Sequence, residues 1–214
     1  MRKLALLAAT GFLLAGCGGS GGSSTPKPDA SGCIPVGNVL QKPRTATRPK
    51  AKLDPNKVYD VTLVTNCGNF TIRMDQKQSP NATASFVSLA TRGFFNRTVF
   101  HRIVPGFVIQ GGDPTGTGTG GPGYRTVDTP PSTAKYTHGV VAMAKTAAER
   151  PGTAGSQFFV VTAQNAQLTP DYAIIGKVVH GLPVVDRIGK LGDANEVPTE
   201  TVEIERARVN VAAG

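Results

Sequence analysis

The chain has 214 residues, 39% of them hydrophobic and 17% charged, with a formal net charge of +9. That length allows one domain with a real core plus appendages, and that balance suits a soluble globular domain. No CxxC pair or His/Cys cluster argues for a metal, and no RNA- or DNA-reading motif accompanies the basic charge, so metal chemistry and nucleic-acid recognition are set aside.

Met1-Arg2-Lys3 is a short basic start, and Leu4 to Leu14 is an apolar run too short to span a bilayer comfortably. The run ends in Leu14-Ala15-Gly16-Cys17, which resembles a bacterial lipobox. The resemblance implies a lipoprotein signal peptide over residues 1–16, cleavage before Cys17 and a diacylglycerol on the Cys17 thiol. The membrane is then a partner through that anchor. The expected location is the outer face of the bacterial cytoplasmic membrane, in the cell envelope. The alternative is an ordinary secretory signal with a coincidental cysteine.

Residues 17–53 are expected to be a flexible tether. Residues 18–32 are Gly/Ser-rich with two prolines. Residues 42–57 carry Lys42, Arg44, Arg48, Lys50, Lys52 and Lys57 against one acid, Asp54. This reads as a solvated basic linker, or as one attracted to an anionic lipid surface or wall polymer. With Cys17 lipidated, Cys33 and Cys67 remain. Two cysteines in an oxidising compartment make a candidate disulfide, the alternative being two free thiols.

Residues 54–214 form the expected folded domain. Tyr59–Val64 and Asn69–Met74 alternate apolar and polar residues around a Cys67-Gly68 turn, a hairpin pattern. Ser79-Pro80 offers an N-cap and a first-turn proline, Phe86, Leu89 and Ala90 give helical spacing, and Gly93 supplies a stop. Phe95 to Gln110 reads as strand and bend, and residues 111–139 as a long loop. Val140–Ala144, Phe158–Thr162 and Ala173–Val179 are short apolar runs consistent with buried strands. Phe158 is expected in the core and Phe159 on the opposite face. Leu182 to Leu191 reads as a short amphipathic helix, and Val202–Glu205 with Arg208–Val211 closes the chain as strand. Many short strands with two helices predict a mainly β, closed antiparallel barrel.

The densest stretch is Phe100-His101-Arg102-Ile103-Val104-Pro105-Gly106-Phe107-Val108-Ile109-Gln110-Gly111-Gly112-Asp113. Arg102 and Gln110 are an even number of positions apart, so an extended run places both on one face, although Pro105-Gly106 interrupts it. A charged donor, an amide and an apolar floor with Phe107 make a surface for gripping a peptide. No nucleophile or carboxylate pair is present to hydrolyse one. The stretch closely resembles the signature of the cyclophilins, a class of peptidyl-prolyl isomerases. Gly118-Thr119-Gly120-Gly121 resembles that family's glycine loop, Gly155-Ser156-Gln157-Phe158-Phe159 its second signature, and Ile174-Ile175-Gly176-Lys177-Val178 its last core strand.

The resemblance runs from about residue 58 to 211 in family order. It implies an eight-stranded barrel capped by two helices and catalysis of X-Pro isomerisation without cofactor. It assigns catalysis to Arg102, Gln110 and Phe107. Proline-containing polypeptides would contact His101, Val108, Ala144, Gln157, Phe159, Leu168 and Tyr172. A monomer is expected. Gln167 stands where eukaryotic members carry tryptophan, so weak cyclosporin binding is expected. Tyr172 replaces a pocket histidine, and Lys145-Thr146 with residues 147–150 departs from the usual loop. The competing reading is a non-catalytic peptide-binding chaperone module on the envelope. The literal GxGxxG at residues 116–121 is followed by Pro122-Gly123, not by a helix, so a dinucleotide site is set aside. Ser156 lacks an elbow and a His/Asp pair, so it reads as a structural hydroxyl.

Overall fold

The computed structural model describes residues 26–214, and the expected signal peptide and Cys17 lie outside them. The expected hairpin is formed by β1 (Lys57–Thr65) and β2 (Gly68–Met74). Its alternation decides the buried face: Val61, Leu63, Phe70 and Ile72 are at most 1% exposed, and Val61 pairs with Ile72 and Leu63 with Phe70. Helix α1 (Pro80–Thr91) starts at the expected proline and stops before Gly93, whose φ of +69° suits glycine. Ser79 makes no side-chain cap. The capping acceptor is instead Asp128, whose Oδ2 accepts from Ala82 N–H at 2.6 Å and Oδ1 from Asn81 Nδ2 at 2.7 Å.

The stretch after α1 breaks into β3 (Thr98–Val99), β4 (Arg102–Val104) and β5 (Val108–Gly111). Pro105 to Phe107 turns the chain back, so Arg102 and Gln110 are cross-strand partners in a hairpin and not two points on one extended run. The loop expected over 111–139 contains one short strand, β6 (Thr126–Val127), which pairs with β8 (Thr153–Ala154). The remaining elements are β7 (Val140–Met143), β9 (Phe158–Val161), β10 (Ile174–His180), α2 (Leu182–Ile188) and β11 (Glu203–Ala213).

The main sheet has nine strands in the order β3-β11-β1-β2-β10-β7-β9-β5-β4. This corrects the expected closed eight-stranded barrel. The edge strands β3 and β4 belong to one segment interrupted at Phe100 and His101, and no ladder joins them. Phe100 turns into the core at 1% exposure and donates its N–H to Val202 O, which carries the chain from its β11 neighbour to its β5 neighbour. The sheet is a curled half-barrel with two helices. No helix among the described residues is long and apolar enough to cross a membrane.

Residues 33–53 have no helix or strand, yet they are held against the domain, unlike the flexible tether expected there. Cys33 is fully buried and disulfide-bonded to Cys67, as the cysteine count allowed. Ile34 N–H donates to Asn66 O, Lys42 N–H to Pro114 O and Ala46 N–H to Pro122 O. Arg44, expected in a solvated linker, donates from Nη1 to Phe94 O at 2.6 Å and Asn96 O at 2.7 Å.

The disulfide joins residues 34 apart. Constraining the unfolded chain over such a loop is worth roughly 3–4 kcal/mol in the chain-entropy treatment. Denaturant unfolding of the domain should therefore show a loss of that order on reduction or in Cys33→Ser. A loss below about 1 kcal/mol would contradict a bond that closes a well-anchored segment.

Candidate functional site

The candidate site is laid out by strand register. Arg102 pairs with Gln110, Gln110 with Phe159, Phe159 with Ala142 and Ala142 with Ile174, so one transverse row crosses β4, β5, β9, β7 and β10. Directly opposed residues present side chains to the same face, about 5 Å apart. A parallel row adds Val104, Val108 and Val161. This face carries its own apolar cluster of Val108, Tyr136, Val140, Ala142, Phe159, Val161 and Ile174, with Phe107, Leu168 and Tyr172 packed against it. Phe158, one position earlier, lies in the main core, as expected.

A polar chain crosses the apolar face. Arg102 donates from Nε to Glu196 Oε2 at 2.6 Å and from Nη1 to Gln110 Oε1 at 3.2 Å. Gln110 Nε2 donates to Gln157 Oε1 at 3.0 Å, and Gln157 Nε2 donates to the carbonyls of Gly118 at 2.9 Å and Gly120 at 3.0 Å. Arginine has no acceptor, so its bond fixes which way the Gln110 amide points, and that in turn fixes Gln157.

A cavity of about 130 Å³ opens beside this chain. It is lined by Arg102, Phe107, Val108, Gln110, Ala144, Lys145, Phe159, Leu168 and Tyr172. The structure thus gathers the residues singled out in the sequence, with two exceptions. Gln157 anchors the glycine loop, and both hydrogens of its amide are engaged there. His101 lies behind that loop, next to Gly118, and neither ring nitrogen has a hydrogen-bond partner among the described residues. The Ala144 N–H is engaged by Gln157 O, so it is not available to a ligand.

Several supporting residues were not legible in the sequence. Tyr136 stacks edge-on against Tyr172 with centroids 5.9 Å apart, and its hydroxyl donates to Tyr172 O while accepting from Tyr172 N–H. Tyr172 in turn meets the edge of Phe159 at 5.4 Å and lies 5.5 Å beneath the Lys145 ammonium. Asp113 is fully buried and accepts from the N–H groups of Thr115, Gly118 and Gly120, which holds the glycine loop closed. These bonds keep its carboxyl below the ordinary value although burial opposes them. A Cβ at Gly120 would stand 2.0 Å from Asp113 Oδ1, so only glycine fits there. The literal GxGxxG is this loop. Ser156 Oγ donates to Gly112 O at 2.7 Å and is a structural hydroxyl.

A second cavity of about 200 Å³ adjoins the first and shares Gln110, Ala144 and Lys145 with it, and Gln157 lines this second one. The loop 145–150 forms its rim. Glu149 orders that rim by accepting from Arg125 Nε at 2.8 Å and Thr146 N–H at 2.8 Å. Gln167 is exposed at a φ of +49° and does not line either cavity. Among the described residues no group of three or more His, Cys, Asp or Glu is placed to hold a metal.

The curled antiparallel sheet thus carries a shallow cavity with an apolar lining, one arginine and two linked amides at its edge. Comparison with known proteins gives the family. The family described as "Cyclophilin type peptidyl-prolyl cis-trans isomerase/CLD" matches residues 60–209. A peptidyl-prolyl cis-trans isomerase-like 1 of Emericella nidulans is 40% identical over 160 residues, covering 72% of this chain and 96% of that protein. A peptidyl-prolyl cis-trans isomerase of Helicobacter pylori is 38% identical over 158 residues, covering 67% and 94%. The crystal structure of a Cryptosporidium parvum cyclophilin-type isomerase superposes with a TM-score of 0.66 at 33% identity, covering 72% of this chain and 98% of that one. The chain belongs to the cyclophilin-type peptidyl-prolyl cis-trans isomerase family, and it is an enzyme of that activity.

The half-buried His101 generates a pH prediction. Burial holds its imidazole below the ordinary histidine value, the Arg102 charge adds to this, and Asp113 partly opposes it. The unfolded chain therefore takes up the proton first as pH falls. Unfolding free energy should be full above about pH 6.5 and decline as pH falls from there toward the lower folded value. His101→Gln should flatten that decline in denaturant titrations at pH 7.5, 6.5 and 5.5. Parallel slopes in the two proteins would assign the effect elsewhere.

Proposed function

We propose that this isomerase stabilises the twisted X-Pro bond through Arg102 and acts on exported polypeptides while tethered to the membrane by lipid on Cys17. The planar amide resists rotation by about 18–20 kcal/mol because the nitrogen lone pair is delocalised. At the twisted geometry the lone pair returns to the prolyl nitrogen. A donor aimed at that nitrogen stabilises the twisted state more than either planar isomer, which is the condition for catalysis.

The observation that carries this reading is the state of the Arg102 guanidinium. Nε donates to Glu196 and Nη1 gives one of its two hydrogens to Gln110, so Nη2, with no hydrogen-bond partner among the described residues, keeps both of its hydrogens for a ligand in the cavity that Arg102 lines. Phe107, Val108, Phe159 and Leu168 provide the apolar surface for a pyrrolidine ring. Gln110 Nε2 gives one hydrogen to Gln157 and retains a second for a substrate carbonyl. The rim of residues 145–150 lies beside the cavity, where residues flanking the proline would run. A structure of the Cryptosporidium parvum relative determined in the presence of the dipeptide Ala-Pro belongs to the same fold.

Export is supported by two independent features. The basic start, apolar run and Leu14-Ala15-Gly16-Cys17 resemble a lipoprotein signal. The Cys33–Cys67 disulfide fits an oxidising compartment. Mass spectrometry of the membrane fraction should detect a diacylglycerol-modified peptide beginning at Cys17, and Cys17→Ser should release the protein or leave it unprocessed. An unmodified Cys17 on membrane-bound protein would sink the anchor.

Arg102→Ala should lower kcat/KM by about 10²–10³ with the fold intact, because a preorganised donor in a partly dry site is worth about that much. Peptide affinity, followed by NMR titration, should change little, since the interaction exists mainly in the transition state. Phe107→Ala should weaken both affinity and rate. Near-wild-type turnover in Arg102→Ala would remove Arg102 from the mechanism and favour a binding role for the groove.

A further inference from the structure

We infer that Glu196 is a positioning residue for the isomerisation, holding the Arg102 guanidinium in its working orientation; the inference rests on the reading of Arg102 as the donor. Glu196 is 94 residues from Arg102 in the chain and reaches it from a loop on the far side of β4. That loop is a closed turn. Asp193 Oδ1 accepts from Asn195 N–H at 2.8 Å and Val197 N–H at 2.9 Å, and Gly192 bridges to Pro198. The turn is bonded to β4 directly, since Ile103 N–H donates to Glu196 O at 3.0 Å. The backbone of Glu196 is thus fixed one residue away from Arg102.

Two observations point the same way. First, the Glu196 carboxylate takes the Arg102 Nε–H at 2.6 Å, while Gln110 takes Nη1. The guanidinium is planar, so two in-plane acceptors on different nitrogens fix both its plane and its rotation. A single acceptor would leave it free to swing. Second, Glu196 has a φ of +66°, in the left-handed region where a glutamate is disfavoured and Gly or Asn is at ease. Such backbone strain gathers at functional sites, so the outlier points to a task for the side chain. The recorded bond of this side chain is the one to Arg102.

The pair is not a stability device. Its side chains are 36% and 45% exposed, and ion pairs so open to solvent add little to folding. Orientation of a transition-state donor is different, because a small misplacement of that donor is felt in full by the rate. Loss of Glu196 is therefore expected to act on kcat and to leave KM and the melting temperature nearly unchanged.

The test measures kcat, KM and melting temperature in the domain for Glu196→Ala, Glu196→Gln, Glu196→Gly and Arg102→Ala, and repeats Glu196→Ala in an Arg102→Lys background. We expect Glu196→Ala to lower kcat about five- to tenfold with KM within about twofold. Glu196→Gln keeps an acceptor and should recover most of the loss. Glu196→Gly relaxes the left-handed backbone, so it should melt at or above the wild-type temperature and still turn over slowly. A side chain with a merely structural role would not separate rate from stability in this way. In the Arg102→Lys background the Glu196→Ala effect should shrink, as it must for residues acting through one contact. Wild-type kcat in Glu196→Ala, or an undiminished effect in the Arg102→Lys background, overturns the inference. If Arg102→Ala itself keeps turnover, the donor reading falls instead, so the two failures are distinguishable.

Discussion

The transverse row Arg102–Gln110–Phe159–Ala142–Ile174 is the constraint on which the site depends. Its central strands, β7 and β9, are buried on both faces. On the inner face Phe158 meets Phe86 at 5.3 Å, Phe95 at 5.9 Å and Phe100 at 6.0 Å, all near edge-to-face. On the outer face Phe159 packs with Tyr136 and Tyr172. Burying an aromatic ring of this kind is worth about 1.5–3 kcal/mol, and a one-residue slip would exchange the two faces at once. The core packing therefore sets the register, and the register sets the spacing of the site.

A charge placed on such a row must be supplied with partners. Polar groups left without them on a half-buried surface cost about 1–3 kcal/mol each. The chain Glu196–Arg102–Gln110–Gln157 supplies them in sequence and ends on the carbonyls of Gly118 and Gly120. It joins four parts distant in sequence: the loop after α2, the β4–β5 hairpin, the residue before β9 and the glycine loop. Asp113 fixes the last of these from behind, so the loop is anchored at both of its polar surfaces.

The segment before β1 extends this organisation beyond the residues 60–209 that match the family. It meets the same glycine loop at Pro114 O and Pro122 O, and the Gln41 side chain lies against Gly116. Arg44 satisfies two carbonyls in the turn that follows α1. Its charge is partly desolvated there, which lowers its pKa from the ordinary value. The disulfide pins the other end of the segment at the β1–β2 turn, where Asn66 ties Ile34 to Thr201 and to β11. A run of basic residues read as solvated linker is thus partly structural.

What the sequence determined by itself is local. Period-two alternation and the Cys67-Gly68 turn specify the first hairpin, Pro80 and Gly93 bound α1, and neighbouring Phe158 and Phe159 are assigned to opposite faces. The same alternation, with the glycine and signature blocks, brought most of the cavity residues into view. Tertiary structure alone decided the rest. Asp128 caps α1 from 46 residues away, β6 pairs with β8 across an intervening strand, and the sheet's edges fall at Phe100 and His101. Glu196 reaches Arg102 across 94 residues, and the Gln157 amide is engaged by the glycine loop. Turn chemistry and side-chain alternation act over a few residues and leave a mark in the sequence there. The choice of a hydrogen-bond partner is made only when distant segments pack, because each buried donor takes whichever acceptor the finished fold brings within reach.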